Sequence, residues 1–139
     1  MADFYSILNA TAALCAGGAA ASGWTASVIT ANTAFDGLDH GRADRMLRKV
    51  LVATAGFQAA LLGIATGAAL ISGARAAAIL CAVCALGFLT NIWTLAPRKE
   101  KALPGGRKKT STQRVVAVAL TLIMTLTALT GAVLAAFGI

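Results

Sequence analysis

Charge is what this chain lacks most. Only 12% of its 139 residues are Asp, Glu, Lys or Arg, against about 25% in an ordinary soluble domain. Mean hydropathy is +0.79 and 58% of the residues are apolar, which excludes a water-soluble fold as the starting expectation. His40 is the single histidine. A His-rich metal site is thereby excluded, and Asp36, Asp39 and His40 are too thin a set to replace one, so neither a metal nor a cofactor is called for. No Ser or Cys has an identifiable His partner, so the nucleophile and base pair of covalent catalysis is missing as well. Acidic residues number 5 against 12 basic ones, a balance of +7. A nucleic-acid-binding domain would spread such charge over a polar surface. Here it sits in two short blocks, and nucleic acid is excluded as a partner.

What the chain has instead is long charge-free stretches, over residues 4–35, 50–74, 76–97 and 115–139. Each exceeds the ~20 residues that cross a hydrocarbon core as a helix. Runs of Ala, Leu, Val and Ile without period-two alternation exclude an outer-membrane barrel, whose strands alternate. The expected fold class is an all-α integral membrane protein, a single domain over 1–139 built as a four-transmembrane-helix bundle. The spans fall at about 7–31, 50–72, 76–96 and 115–137, with connections at about 34–49 and 97–114. Phe4 and Tyr5 mark one interface of the first span and Phe35 lies near the other. Small residues from Ala16 to Gly23 imitate a signal-peptide cleavage region. The residues before them hold Asp3 and no Lys or Arg, where a positive segment belongs, so the stretch reads as a span.

Ser72-Gly73-Ala74-Arg75 is too short to do anything but turn spans two and three into an antiparallel hairpin. The other two connections then share a side. One holds Arg42, Arg45, Arg48 and Lys49. The other holds Arg98, Lys99, Lys101, Arg107, Lys108, Lys109 and Arg114, with Pro104-Gly105-Gly106 as a flexible centre. Eleven of the 12 basic residues thus lie on one side, and the positive-inside rule puts that side in the cytoplasm and both termini outside. So strong a bias argues against dual-topology exporters and channels. The multi-pass chain is expected in the cell's inner, or plasma, membrane, its basic segments meeting the anionic headgroups of membrane lipids. Asp39 is placed to cap a helical extension through Arg42, Arg45 and Arg48 into span two.

Helices in lipid associate where small residues let their backbones approach. Gly17, Gly56, Gly63 and Gly67 are the packing candidates, the last two forming a GxxxG motif, with Ala21 and Gly23 beside Gly17 in span one. Their contact lies within the chain or between copies, so a homo-oligomer or a subunit of a membrane complex is expected. No ionisable side chain lies well inside a span, which excludes proton-coupled transport, since coupling needs a protonation change at membrane depth. Uncharged polarity gathers at the cytoplasmic edge. Asn32, Asp36, His40, Arg42, Arg45, Asn91 and Trp93 form the candidate ligand-binding group there, against a simpler role of Trp93 as an interfacial anchor. Gln58 and Thr54 are expected to make hydrogen bonds between helices. Cys81-Ala-Val-Cys84 in span three is similar to the CxxC of quinone-linked disulfide-generating membrane enzymes. Those enzymes need a second exposed pair, and the chain has three cysteines in all, so packing beside alanines is the leading role and redox the alternative.

The chain as a whole resembles the anthrone oxygenase-like family of small four-span membrane proteins. The likeness rests on Trp24 to Leu38 leaving span one, the basic amphipathic segment entering span two, Thr94-Leu95-Ala96-Pro97 closing span three and Thr112-Gln113-Arg114 opening span four. Leu95 and Lys99 stand where that family typically has asparagines around the proline, and a basic run from Arg107 to Lys109 replaces an aromatic-rich approach to span four. The resemblance implies the four-span fold, and for activity a cofactor-free oxygenation of a phenolic with His40 as base. Taken without it, the residues favour an accessory, interaction or hydrophobic-ligand-binding role. A small membrane enzyme is the first alternative and an oligomeric pore or carrier the next.

Overall fold

Helices dominate because Ala, Leu, Val, Ile and Thr fill most positions between the turns, and Pro97 and Pro104 are the only prolines. The computed structural model describes residues 2–95 and 107–139, with side chains for all of these except 2, 35, 40, 44, 94, 95, 107–115 and 117. In chain order it contains α1 (Ala2–Trp24), a π-helical turn (Thr25–Ile29), α2 (Thr30–Gly37), α3 (His40–Ser72), α4 (Arg75–Leu95) and α5 (Arg107–Phe137). No strand occurs among the described residues. Four segments are long and apolar enough to cross a membrane: Asp3–Ala34, Gly41–Ser72, Arg75–Trp93 and Val118–Phe137.

The four long helices form a ring. α1 packs on α3 and α5, and α4 packs on the same two. The α3–α4 hairpin closes as the sequence implies, for a specific reason. Gly73 adopts φ 86°, a left-handed conformation that glycine takes without a Cβ clash. Its N–H reaches Leu70 O at 3.2 Å and the next N–H, of Ala74, reaches Ala69 O at 2.9 Å, the paired bonds of a Schellman cap. Gly138 ends α5 in the same way, with bonds from Gly138 N to Ala135 O and from Ile139 N to Leu134 O. The last residue then accepts a bond from Ala77 N–H at 3.1 Å, and Asn9 of α1 lies beside Gly138. The start of α1, the α3–α4 turn and the end of α5 therefore share one end of the bundle.

At the opposite end the expected 34–49 loop shrinks to Leu38 and Asp39. The helical extension expected from Asp39 through Arg42, Arg45 and Arg48 into span two is present and amphipathic: Ala43, Leu47 and Leu51 are buried while Arg42, Arg45, Arg48 and Lys49 face out. Asp39 does occupy the N-cap position of α3, though its carboxylate makes no capping bond and the backbone carbonyl receives Arg42 N–H and Ala43 N–H instead. α5 starts at Arg107, eight residues ahead of its expected position at 115. Residues 96–106, Pro104-Gly105-Gly106 among them, lie outside the described set.

The interior is built from small residues. From Ala74 in the turn, the buried stripe runs through Ala77, Cys81, Cys84, Phe88 and Asn91 of α4, a spacing of alternate threes and fours, and α5 buries Thr121, Thr125, Ala128, Ala132 and Ala135. This 3.5-residue repeat keeps one seam facing its partners in a left-handed bundle. Phe88, Leu47, Leu51 and Leu62 are the bulky exceptions, and many other large residues point outward: Leu14, Phe57, Ile64, Ile71, Ile79, Leu86, Leu126 and Phe137 are all exposed.

Of the glycines expected to pack, Gly23 does so inside this chain and the other four do not. A Cβ added at Gly17, Gly56, Gly63 or Gly67 would meet no atom within 4 Å, because these positions lie off the buried stripe and alanines hold the seam. The close approaches fall at Gly23, Gly87 and Gly131, whose added Cβ would run into Thr125, Met124 and Cys81 respectively.

Candidate functional site

Five polar side chains are buried among the described residues: Ser27, Gln58, Asn91, Thr121 and Thr125. Every span contributes. Ser27 comes from the π-helical turn that continues α1, Gln58 from α3, Asn91 from α4, and Thr121 and Thr125 from successive turns of α5. Each occupies its helix's inward stripe, where the remaining positions are almost all Ala, Leu, Cys or Phe. The π-helical turn widens the helix here, so that Ala26 and Ser27 are buried side by side. Turns of this kind recur at functional sites.

The bonds within the cluster are mostly local. Asn91 Nδ2 donates to Thr121 Oγ1 at 2.8 Å, linking α4 to α5, and Thr125 Oγ1 donates to Thr121 O at 2.7 Å along its own helix. Ser27 Oγ donates to Gly23 O. Gly23 is the hub of the opposite side. A Cβ there would stand 2.5 Å from Thr125 Oγ1 and 3.4 Å from Gln58 Nε2, so the bare glycine backbone is what lets both polar groups reach α1. Gln58 is 1% exposed, and its Nε2 has no hydrogen-bond partner. A buried donor left unpaired costs roughly 1–3 kcal/mol.

The residues expected at the membrane edge are placed differently. Asn32 and Asp36 are exposed on α2, and Arg42 and Arg45 are exposed on the first turns of α3 across the Leu38–Asp39 break. Arg45 Nε donates to Gly41 O of its own helix at 3.1 Å. His40 begins α3, and its side chain lies outside the described set. Asn91 departs from this group, since its amide turns inward to Thr121 at 1% exposure. Trp93, two residues on, points outward at 82% exposure, the orientation an interfacial anchor requires. No group of three His, Cys, Asp or Glu side chains comes together among the described residues.

Cys81 and Cys84 are free thiols at 0% exposure. Cys81 Sγ rests against Gly131 and Cys84 Sγ points its hydrogen at Met124 O, 3.6 Å away. Both fill the α4–α5 seam as small packing residues do.

Ser27, Thr121 and Thr125 were not singled out by sequence. The usable signal was weak: Thr121 and Thr125 are four residues apart on the stripe that continues through Ala128, Ala132 and Ala135, whereas Thr127 and Thr130 lie off it and bond their own backbone. Compared with known proteins, the chain matches no protein-family model, no curated protein and no solved structure.

Proposed function

We propose that this chain is a multi-pass membrane protein, with its basic end in the cytoplasm and both termini outside, that works by binding rather than by catalysis: an accessory subunit holding a hydrophobic small molecule or a lipid within or against its bundle. One observation carries the reading. The buried polar groups are uncharged, come from all four spans and offer hydrogen bonds, and no charged side chain is buried among the described residues. Such a set can hold and orient a neutral molecule. It has no group able to take or give a proton near neutral pH, as general acid-base chemistry requires. The outward ring of Leu, Ile, Phe and Val supports lipid contact on every side, and the exposed Arg42, Arg45, Arg48 and Lys49 support contact with anionic headgroups. The outward-facing Gly56, Gly63 and Gly67 leave α3 a surface on which another helix, from a second copy or a partner subunit, has room to approach closely.

The test is extraction of the protein with its surrounding native lipid, followed by mass spectrometry of what remains bound. A stoichiometric lipid, isoprenoid or partner polypeptide supports the reading. Turnover of a phenolic, quinone or thiol substrate by the purified protein, abolished by substitution of His40 or Cys84, would overturn it in favour of an anthrone oxygenase-like or thiol-redox enzyme.

A further inference from the structure

Among the described residues two buried polar atoms lack a hydrogen bond, Asn9 Oδ1 near the end of the bundle and Gln58 Nε2 in its interior. The surroundings of Gln58 specify what is missing. Ser27 Oγ gives its hydrogen to Gly23 O, and Thr125 Oγ1 gives its hydrogen to Thr121 O. A hydroxyl carries one donor and two acceptor lone pairs, so each of these oxygens retains capacity to accept. Around Gly23, then, stand one unused amide donor and two hydroxyl oxygens, on three different helices. A carbonyl would satisfy only the donor. A neutral O–H group satisfies both kinds, accepting from Gln58 and donating to Thr125 or Ser27. An anion is disfavoured, because no charged side chain is buried there and Lys49 is nine residues, or about 13 Å, away along α3.

We propose that Gln58, Thr125 and Ser27, grouped about the bare backbone of Gly23, form a binding site for a neutral hydroxyl group buried in the membrane. Its source is either a lipid-soluble alcohol or phenol, or a single trapped water. The site deepens the binding role proposed above and rests on it for its membrane setting. A water needs two to four polar partners to be held in an interior, and Gln58 Nε2, Thr125 Oγ1 and Ser27 Oγ would supply them. A long-chain alcohol or phenol would make the same bonds, and its hydrocarbon would have to part the closed seam of alanines and leucines.

The chain has two glutamines, Gln58 and Gln113, so protein labelled with 15N at the glutamine side-chain amide gives two NH2 signals in a detergent micelle. Gln113→Met assigns them. The probe is 4-nonylphenol, with its methyl ether as a control of the same shape that cannot donate. With a lipid-soluble source, the phenol moves the Gln58 signal, the ether does not, and Thr125→Val weakens phenol binding about fivefold, the effect of one lost hydrogen bond. With water as the source, the phenol has no effect, but the Gln58 amide protons show magnetisation transfer to a long-lived water that Thr125→Val or Ser27→Ala reduces. Either result supports the site. A Gln58 signal with neither response, in a fold preserved by its spectrum, overturns it. Failure here leaves the binding-subunit role standing, whereas enzymatic turnover that depends on His40 or Cys84 would sink that role without touching the Gln58 result.

Discussion

Replacing Gly23 by alanine adds a single methyl at the point where three helices meet. The new Cβ would lie 2.5 Å from Thr125 Oγ1 and 3.4 Å from Gln58 Nε2. The Thr125 hydroxyl cannot simply rotate away, because its bond to Thr121 O at 2.7 Å fixes it on the inner face of α5. Overpacking of this kind costs roughly 1–3 kcal/mol, and alanine returns about 0.5–1 kcal/mol of helix preference over glycine. The expected net loss is about 1–2 kcal/mol, near a tenfold shift in the unfolding equilibrium. Reversible unfolding in mixed micelles by added sodium dodecyl sulfate, followed by circular dichroism, measures it. Gly63→Ala is the internal reference. Its Cβ meets nothing within the chain, so it is expected to be neutral or to gain up to about 1 kcal/mol from helix preference. Thr125→Ala should rescue Gly23→Ala, with a coupling of about 1 kcal/mol in the double-mutant cycle. If Gly23→Ala is as stable as Gly63→Ala, or if the cycle shows no coupling, the convergence of α1, α3 and α5 on Gly23 is wrong.

Further outcomes follow from the same geometry. Asn91→Leu removes the bond to Thr121 and should lower stability by about 0.6–1.7 kcal/mol in the same unfolding assay, the range for hydrogen bonds between membrane helices; Trp93→Leu, on the outward face, should leave monomer stability within about 0.5 kcal/mol. In the folded protein a maleimide probe should fail to modify Cys81 and Cys84 before or after mild reduction, and should reach both once the protein is denatured; modification appearing only on reduction would favour a redox pair. Gly63→Ile should likewise leave unfolding of the monomer nearly unchanged, and a fall in energy transfer between labelled copies in vesicles would assign the Gly63–Gly67 face to self-association.

The four helices were legible because in this chain charge marks their limits: Asp3, Asp36, Lys49, Arg75, Arg98 and Arg114 bracket every apolar stretch. The hairpin was legible because Gly73 sits where a left-handed cap is needed. At 34–49 charge set the loop too wide, while Asp39 at the cap position and the three-residue spacing of Arg42, Arg45 and Arg48 did mark the helical extension that the structure contains, with Ala43, Leu47 and Leu51 as its buried face. The GxxxG motif, read as a close contact within the chain or between copies, makes none within the chain, where alanines and Gly23, Gly87 and Gly131 hold the close approaches and Gly63 and Gly67 face open space. Asn91 was singled out, but as part of a membrane-edge group. Its partner Thr121 lies thirty residues away on another helix, and no local pattern reports that pairing. Gln58 was expected to bond between helices. The structure buries it as expected and leaves its donor without a partner.

The membrane arrangement itself is open to one direct measurement. In a background with Cys15, Cys81 and Cys84 replaced, single cysteines are introduced as Arg42→Cys and Arg75→Cys, two exposed positions at opposite ends of the bundle, and intact cells are treated with a membrane-impermeant maleimide. The account predicts that Arg75→Cys labels at once and that Arg42→Cys labels only after the membrane is opened. Labelling of Arg42→Cys in intact cells, or equal labelling of both, would contradict it.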